Sequence, residues 1–357
     1  AYDNMMDGGY GKKLYYELAL NYARKFGDHD VTLLALMNRQ KIEGLNGNNT
    51  SSLKFPAYEE AWVGRATYAW SGRYLAEVNA AYTGSEKFAP GKRFGFFPSY
   101  SIGWRVSEEP FIKNTIGHIL TNLKVRYSYG IVGSDRGAAR FNYIQTYNTG
   151  GNISLGYKQK NNYGPLYKEG AVADPEATWE KAEKQNLGFE MSLFDKLSVT
   201  LDLFKEKRKD ILMQRNTVPI WFGVGIPSQN IGQTKNRGME LELDWHDKIG
   251  ENFNYRIKGF MSLSQNRIVF RDDPRNKPKY QKNAGKPIGW QSCYHVWGNY
   301  QSLDDVFNYA TPETSAIQHL ATAGDFMYID YNADGVIDSK DQMPIDKVQY
   351  PTKTFGI

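Results

Sequence analysis

The sequence predicts an all-β fold, and within that class a partial transmembrane antiparallel β-barrel with long extracellular loops. Three observations lead to this prediction. Apolar and polar residues alternate with a period of two, the alternating stretches are longer than the strands of most soluble sheets, and short connections take turns with long ones.

About ten stretches carry the alternation, which places the apolar residues of each strand on one face. Around residue 200, for example, apolar residues at every second position alternate with Ser198, Thr200 and Asp202. The predicted strands lie, in chain order, at residues 13–26, 29–42, 57–71, 73–85, 92–107, 122–131, 186–193, 196–204, 238–245 and 253–263, and an eleventh begins near Thr352.

The opposite face of these strands is charged. Glu240, Glu242 and Asp244 occupy every second position of one strand, and Arg256 and Lys258 do so on the next. Such a face cannot be a packed core, so the apolar face must be the buried one. No stretch of the sequence is typical of a second covering layer. We therefore expect membrane lipid to cover the apolar face while the polar face lines a wet interior.

Connection lengths support the same fold. Tight links alternate with long ones. The tight links lie at 27–28, 71–72, 195–196 and 246–251, and the long ones at 43–56, 133–182, 208–234 and 268–350. Two links of middle length lie at 86–91 and 108–118, and the second is predicted to hold a short helix. Short periplasmic turns and long extracellular loops are typical of outer-membrane barrels. Apolar-face aromatics near strand ends suit interfacial girdles; they are Trp62, Trp70, Tyr127, Tyr129, Trp245 and Tyr255.

Open strand edges are not tolerated in hydrocarbon, because each unpaired backbone group costs several kcal/mol. About ten strands with ragged ends do not close a barrel, so we expect residues 1–357 to be a fragment of a larger one. Other classes are excluded by composition. The net charge of +5 is too mild to indicate a nucleic-acid partner, the apolar runs are too short for a spanning helix, and the lone Cys293 forms no internal disulfide.

One acidic loop matches the spacing of an EF-hand-type calcium loop. Oxygen donors at positions 1, 3, 5, 7, 9 and 12 are Asp330, Asn332, Asp334, the carbonyl of Val336, Asp338 and Asp341. Gly335 at position 6 allows the chain to turn around an ion. A hard cation such as Ca²⁺ would stiffen the loop over residues 330–341; the alternative is a solvated turn rich in Asp and Asn.

The sequence holds no set of residues typical of catalysis. The five histidines are scattered, and neither a nucleophile elbow nor a phosphate-binding loop is present, so we expect no enzyme activity. Two predicted loops are rich in aromatic residues that could stack on sugar rings, contact a partner protein, or pack within the loop itself. These residues are Trp221, Phe222, Trp290, Tyr294, Trp297 and Tyr300.

Six blocks in a fixed order add a resemblance. They lie at residues 97–105, 107–111, 123–130, 179–190, 236–242 and 324–330. With them the chain resembles the C-terminal part of the barrel of a SusC/RagA-family TonB-dependent outer-membrane transporter. The resemblance implies a barrel of about 22 strands in the outer membrane of a Gram-negative bacterium, with an N-terminal plug and terminal strands that this chain lacks.

The resemblance also implies a function. Such proteins import oligosaccharides, and in some cases peptides, with energy from TonB–ExbB–ExbD and a SusD-like surface lipoprotein as lid. Two alternatives stay open: another TonB-dependent receptor, for a metal chelate such as a siderophore, and an outer-membrane adhesin barrel that transports nothing.

Overall fold

The alternating stretches form one large antiparallel sheet in the computed structural model, which describes residues 11–44, 55–155, 161–250, 252–312 and 321–357. Its strands are β1 (Gly11–Phe26), β2 (His29–Gly44), β3 (Ala57–Trp70), β4 (Tyr74–Ser85), β5 (Phe94–Arg105), β6 (Leu120–Ser134), β9 (Glu180–Leu193), β10 (Leu197–Gln214), β11 (Ser228–Ile249), β12 (Phe253–Phe270) and β19 (Lys353–Gly356). They pair in that order, so the predicted ten strands and the eleventh are confirmed.

The connections hold the smaller elements. Two short helices are α1 (Pro110–Ile116), which confirms the helix predicted in that link, and α2 (Leu303–Asn308). Eight further strands form two-stranded sheets: β7 (Tyr147–Leu155) with β8 (Asn161–Glu169), β13 (Trp290–Cys293) with β18 (Met343–Val348), β14 (Val296–Asn299) with β16 (Phe326–Tyr328), and β15 (Thr311–Pro312) with β17 (Val336–Ile337). No helix in the described ranges is long and apolar enough to cross a membrane.

The register of the large sheet assigns its two faces. Leu201 lies opposite Phe189 and Leu241, whereas Asp202 lies opposite Gly188 and Glu240. Since directly opposed residues share a face, one face is apolar and the other polar across neighbouring strands. Large apolar side chains on the first face are exposed, among them Leu20, Ile102, Leu203, Leu243 and Ile257. This is the surface that lipid covers in a transmembrane barrel.

The connections sort by end of the sheet. Five lie at one edge, at residues 27–28, 71–73, 106–119, 194–196 and 250–252, and we call this the turn edge. Five lie at the other, the loop edge, at 45–56, 86–93, 135–179, 215–227 and 271–352. β11 has 22 residues, whereas about 9–11 suffice to cross a bilayer. β10, β11 and β12 are therefore longer than a bilayer crossing requires.

One predicted link is too long. The sequence places a connection at 208–234, but β10 continues to Gln214 and β11 starts at Ser228. A bulge allows the pairing to continue past Asp210, whose φ is +56°. The side-chain amide of Asn230 stabilises the bulge by donating to the carbonyls of Asp210, at 2.7 Å, and Thr178, at 2.8 Å. A single residue with positive φ leaves no signature in the alternation.

A small aromatic core lies on the polar face of the sheet near the loop edge. Phe88, Phe97 and Trp179 are buried together, with ring centroids 5.4 Å apart for Phe88 and Trp179 and 5.3 Å apart for Phe97 and Trp179. The Trp179 indole also donates to the carbonyl of Arg93 at 3.0 Å. A Cβ at Gly133 would collide with the Phe97 ring, so this glycine makes room for the core. The cluster joins the sheet to the connections at 86–93 and 135–179.

Candidate functional site

The polar face of the sheet is a wall of paired charges. Arg126 on β6 reaches across β9, where its guanidinium lies 2.9 Å from Glu190, and continues to Asp202 on β10 at 2.7 Å. It passes over Gly188, where a Cβ would stand 2.6 Å from the Arg126 Nε and 2.8 Å from an Asp202 oxygen. The absence of a side chain at position 188 therefore lets one cation join three strands.

The same wall continues on β11 and β12. Arg256 Nε donates to Asp244 at 2.8 Å, and Lys258 lies 2.5 Å from Glu242. Glu240 accepts from the Ser262 hydroxyl at 3.5 Å. The carboxylates of this strand thus face cations and a hydroxyl across the strand pair, as expected for a hydrated wall. The wall can bind polar or charged surfaces without committing to one sign of charge.

The loop edge carries the second part of the site. The long connection at 271–352 folds into three two-stranded sheets and α2, and the one at 135–179 contains the β7–β8 pair. The sequence does not predict these elements, because strands of two to nine residues are too short for a period of two to stand out from chance.

Trp221 and Phe222 stand at the tip of the connection between β10 and β11. Trp221 is 84% exposed and Phe222 is also exposed. The base of this connection is held by Asp272, which accepts from the backbone N–H of Asn216 at 2.8 Å and of Thr217 at 3.1 Å and from Arg215 Nε at 3.1 Å. We call this set of contacts the Asp272 clamp. A fixed base therefore presents two aromatic rings to solvent.

The clamp depends on a charged carboxylate. Burial by itself raises the pKa of Asp272, but the N–H groups of Asn216 and Thr217, the Thr217 hydroxyl and the Arg215 guanidinium together hold this pKa below its ordinary value. The donors contributed by residues 215–217 thus outweigh the cost of removing the charge from water.

The four aromatic residues at 290–300 fall into two groups. Trp290 and Tyr294 are half-buried: the Trp290 indole donates to Asn283 at 3.1 Å, and the Tyr294 ring lies 5.6 Å from that of Tyr328. Tyr300 is only 2% exposed and lies against Tyr309. Trp297, by contrast, is 74% exposed. Of these four, Trp297 is the one whose ring is open to a ligand or a partner.

Further exposed apolar residues lie on the strand paired with that of Trp297 and on the helix that follows it, and the sequence interpretation missed them. Phe326 lies on β16, which pairs with the strand of Trp297, and Leu303 and Phe307 are one turn apart on α2. All three are exposed. The signal for α2 was present in the sequence, since Ser302 and Asp305 form a capping box at its start.

The acidic loop forms a compact turn. Asp330 accepts from the Gly335 N–H at 2.8 Å, and Gly335 adopts a φ of +83° that favours glycine. Asp341, almost fully buried, accepts from the N–H groups of Tyr331 and Asp338, each at 2.8 Å. These contacts close the loop on itself through its own backbone.

The predicted calcium ligands are near one another but bonded to other groups. The Lys340 ammonium lies 2.9 Å from Asp338 and 3.5 Å from Asp334. The Asn332 amide and the Val336 N–H hold the pKa of Asp334 below its ordinary value. Within the described ranges, no three His, Cys, Asp or Glu side chains are arranged to hold a metal ion. The oxygen donors suit Ca²⁺, but two of the carboxylates, Asp334 and Asp338, are paired with the Lys340 ammonium.

Comparison with known families gives one match that covers most of the chain. The family model described as "TonB dependent receptor-like, beta-barrel" matches residues 2–340.

Individual relatives agree with that match. TonB-dependent receptor P3 of Formosa agariphila is 26% identical over 278 residues, which cover 70% of this chain and 26% of that protein. TonB-dependent receptor SusC of Bacteroides thetaiotaomicron is 26% identical over 295 residues, covering 79% of this chain and 28% of SusC. The chain spans about a quarter of the length of the curated relatives it matches.

Solved structures show the same fold. A structure of the RagAB peptide importer in its closed-closed state superposes with a TM-score of 0.69 at 16% identity, over 97% of this chain and 39% of that chain. A second structure of the RagAB peptide transporter gives a TM-score of 0.69 at 17% identity, over 98% of this chain and 39% of that one.

Proposed function

The chain belongs to the TonB-dependent receptor-like β-barrel family of outer-membrane proteins, and from this premise we propose that the protein carrying it imports oligosaccharides, with peptides as the second substrate class. The confirmed resemblance to SusC and RagA directs the proposal to this branch of the family. Closure of the barrel by further strands, and an N-terminal plug inside it, are part of the same proposal.

The observation that carries the proposal is the contrast between the two faces of the sheet. Exposed apolar side chains cover one face, and the paired charges around Arg126 and Asp202 cover the other. In a closed barrel this arrangement gives a lipid-facing exterior and a polar interior through which a hydrated solute passes. No bond of the solute needs to break, so we propose transport without catalysis.

The substrate class follows from the loop edge. Trp221 and Trp297 are the most exposed of the aromatic residues selected from the sequence, and each extends from a fixed base. Aromatic rings presented in this way stack on the apolar faces of sugar rings. The same rings would also suit a peptide, so binding measurements have to distinguish the two substrate classes.

Energy and a partner complete the proposal. A solute too large for diffusion needs work to cross the plug, and TonB–ExbB–ExbD supplies it in this family. A SusD-like surface lipoprotein would cover the loop edge, where Leu303, Phe307 and Phe326 expose apolar surface. Copurification of such a lipoprotein with the full-length receptor is the expected result.

The first test concerns location. Full-length protein should fractionate with the outer membrane and migrate as a heat-modifiable band on gels. Recovery as a soluble species would overturn the proposed function.

The second test concerns the substrate. Full-length receptor is titrated with a panel of oligosaccharides, oligopeptides and ferric siderophores. We expect saturable binding of oligosaccharides and a loss of about five- to 150-fold in affinity for Trp297→Ala or Trp221→Ala, the range that corresponds to the 1–3 kcal/mol that stacking of a ring on an aromatic side chain contributes. Trp62→Ala, on the apolar face of β3, is the matched control and should bind normally.

Other outcomes decide between the alternatives. Binding of peptides alone would move the protein to the second substrate class. Binding of a ferric siderophore alone would identify a metal-chelate receptor, and cell attachment without uptake of any solute would indicate an adhesin. Recovery of the oligosaccharide in cleaved form would contradict the proposal that no catalysis occurs.

We also propose that the acidic loop binds a structural Ca²⁺. Ile337 is almost fully buried and the loop is docked on Gln281, whose side chain donates to the carbonyls of Ser339 and Lys340 at 2.8 and 3.0 Å. This support holds the loop in one place while its solvent-facing oxygens stay accessible. Binding would require the Lys340 ammonium to leave Asp334 and Asp338, which makes the ion and the lysine competitors.

A further inference from the structure

The connection between β5 and β6 differs from the other four at the turn edge. Those four occupy two or three residues each, at 27–28, 71–73, 194–196 and 250–252, whereas this one spans 106–119. It contains a 3-10 turn over Val106–Glu108 followed by α1. A hairpin between neighbouring antiparallel strands needs only two residues, so the extra length has a purpose beyond joining the strands.

Glu109, the residue before α1, fastens this connection to the sheet. Its carboxylate accepts from the Tyr74 hydroxyl at 2.6 Å and from the Trp104 indole at 3.1 Å, and the Arg73 guanidinium lies 3.4 Å away. Glu109 is buried. Since all three donors favour the charged form, they hold the pKa of Glu109 below its ordinary value.

The two aromatic donors belong to a stacked row on the apolar face. Ring centroids lie 6.3 Å apart for His29 and Trp70, 5.5 Å for Trp70 and Tyr74, and 6.5 Å for Tyr74 and Trp104. The row crosses four strands at the turn edge. Trp and Tyr collect at this height because their rings are apolar and their tips are polar. Glu109 therefore attaches α1 to the interfacial girdle of the barrel.

The helix extends the apolar surface beyond the girdle. Phe111 is 63% exposed, and Ile116, about 140° further around the helix, is also exposed. The half-buried Ile112 lies between them on this arc, which therefore carries all three large apolar side chains of the helix. Two cationic side chains belong to this connection or its attachment: Arg73, which also lies 5.9 Å from the Trp70 ring, and the exposed Lys113, which pairs with Glu108 at 2.9 Å. An apolar strip next to cations, continuous with a lipid-covered face, matches the chemistry of a phospholipid headgroup layer.

We propose that residues 106–119 form an interfacial anchor, in which α1 lies in the headgroup layer of the periplasmic leaflet and Glu109 positions it against the aromatic girdle. The occupant of this surface is phospholipid, whose acyl chains cover Phe111 and Ile116 and whose phosphates lie near Arg73 and Lys113. The inference rests on the membrane placement in the proposed function. It goes beyond that function because it assigns a lipid-binding role to one connection of the barrel.

The test places an environment-sensitive fluorophore on either side of α1. In full-length receptor with Cys293→Ser, reconstituted in phosphatidylethanolamine–phosphatidylglycerol vesicles, the label is attached at Ile116→Cys or at Asn114→Cys. These positions lie two residues apart, about 200° around a helix. We expect lipids spin-labelled near the headgroup to quench the label at 116 at least twofold more strongly than the label at 114.

Glu109→Gln tests the positioning role. It keeps the side-chain shape but removes the charge that three donors share, so quenching at 116 should fall towards the value at 114. A label at Leu241→Cys, on the apolar face of β11, is the control for insertion and should stay quenched by deep spin labels in both backgrounds.

The outcomes separate this inference from the proposed function. Equal quenching at 116 and 114, with Leu241→Cys still quenched, would refute the anchor alone. Loss of quenching at Leu241→Cys as well would show that the sheet does not face lipid, which would overturn the proposed function. Protection of both helix positions from lipid and from water-soluble quenchers alike would indicate a protein partner at α1 and refute the lipid assignment.

Discussion

The sheet and the connection at 271–352 are held together by different means. In the sheet, backbone ladders join ten strands of 12 to 22 residues and the four-residue β19, and the side chains decide which face meets which solvent. In the connection, the strands have two to six residues, and side-chain carboxylates and amides supply further hydrogen bonds to backbone groups. Those side chains are Asp272, Asp273, Gln281, Asp305 and Asp341.

This difference has a consequence for substitutions. A change in the sheet should matter according to the face it lies on, because the ladder itself is independent of side-chain identity. A change in the connection should matter according to the hydrogen bonds that one side chain supplies, and its effect should stay local. Mutations ordered by expected effect can confirm or break this contrast.

The largest effect is expected in the aromatic core, which joins the sheet to the connections at 86–93 and 135–179. Trp179→Ala removes the ring that packs between Phe88 and Phe97, and truncation of a buried Trp costs about 3–5 kcal/mol. We expect loss of this stability in denaturant unfolding from vesicles. Trp297→Ala removes the same side chain from an exposed site and should change stability by less than about 0.5 kcal/mol. Similar costs for the two would show that packing in the aromatic core adds no stability beyond that of an exposed ring.

The second effect tests the faces of the sheet. Leu201→Arg places a charge on the apolar face of β10, about five residues from the turn, and should destabilise by about 2–4 kcal/mol near the bilayer midplane. Thr200→Arg changes the neighbouring residue on the polar face and should cost less than about 1 kcal/mol. Folding titrations into vesicles measure both. Comparable damage from the two substitutions would contradict the assignment of the faces.

The same contrast explains how much the sequence predicts. Ten strands, the eleventh near Thr352 and the helix at 108–118 were all predicted, because each strand repeats its alternation several times and a repeated signal survives local exceptions. The bulge at Asp210 is such an exception, and it explains why the link at 208–234 was predicted too long.

The loop edge resists prediction for the opposite reason. Gln281 donates to the carbonyls of residues 339, 340 and 342, and Asp272 accepts from residues 215–217. In both cases the partner lies more than 50 positions away, and the local sequence gives no indication of it. The acidic loop was recognised because its contacts fall within 12 positions. Among the aromatic residues, the sequence predicts the type and not the exposure, so Tyr300 and Trp297 look alike until the fold separates them.

A third and smaller effect concerns the Asp272 clamp. Asp272→Asn keeps the size of the side chain but replaces one of the two carboxylate oxygens by an NH₂ group, which cannot accept. The donors that share two oxygens in the wild-type protein then have one, which should cost the local structure about 1–3 kcal/mol. Hydrogen exchange of the Asn216 and Thr217 amides should become faster, whereas the amides of β10 and β11 within the membrane should keep their protection. Faster exchange throughout both strands would mean that the connection is not an independent unit.

The clamp should also respond to acid. Because the pKa of Asp272 is lower in the folded protein than in an unfolded chain, its stabilisation is complete above the ordinary Asp pKa and is lost as the pH falls through the lowered value. Protection of the Asn216 amide in the wild-type protein should therefore fall in strongly acidic solution. The Asp272→Asn variant has no proton to take up at this site and should lack that acid-dependent step.

The smallest effect, and the most local one, is expected in the acidic loop. If Ca²⁺ competes with Lys340 for Asp334, the ion should slow protease cleavage within 330–341, about tenfold when its concentration is ten times the dissociation constant. Asp334→Ala removes one ligand, so the ratio of cleavage rates with chelator and with calcium should approach one. Taking the ratio removes the part of the effect that comes from the bonds of Asp334 to Asn332 and Val336, which are present without the ion.

Asp304→Ala, in α2, removes an exposed carboxylate of the same connection and should leave the ratio unchanged. An unaltered ratio in Asp334→Ala would assign the loop's stability to its own hydrogen bonds, as for the rest of the connection, and leave no role for a cation.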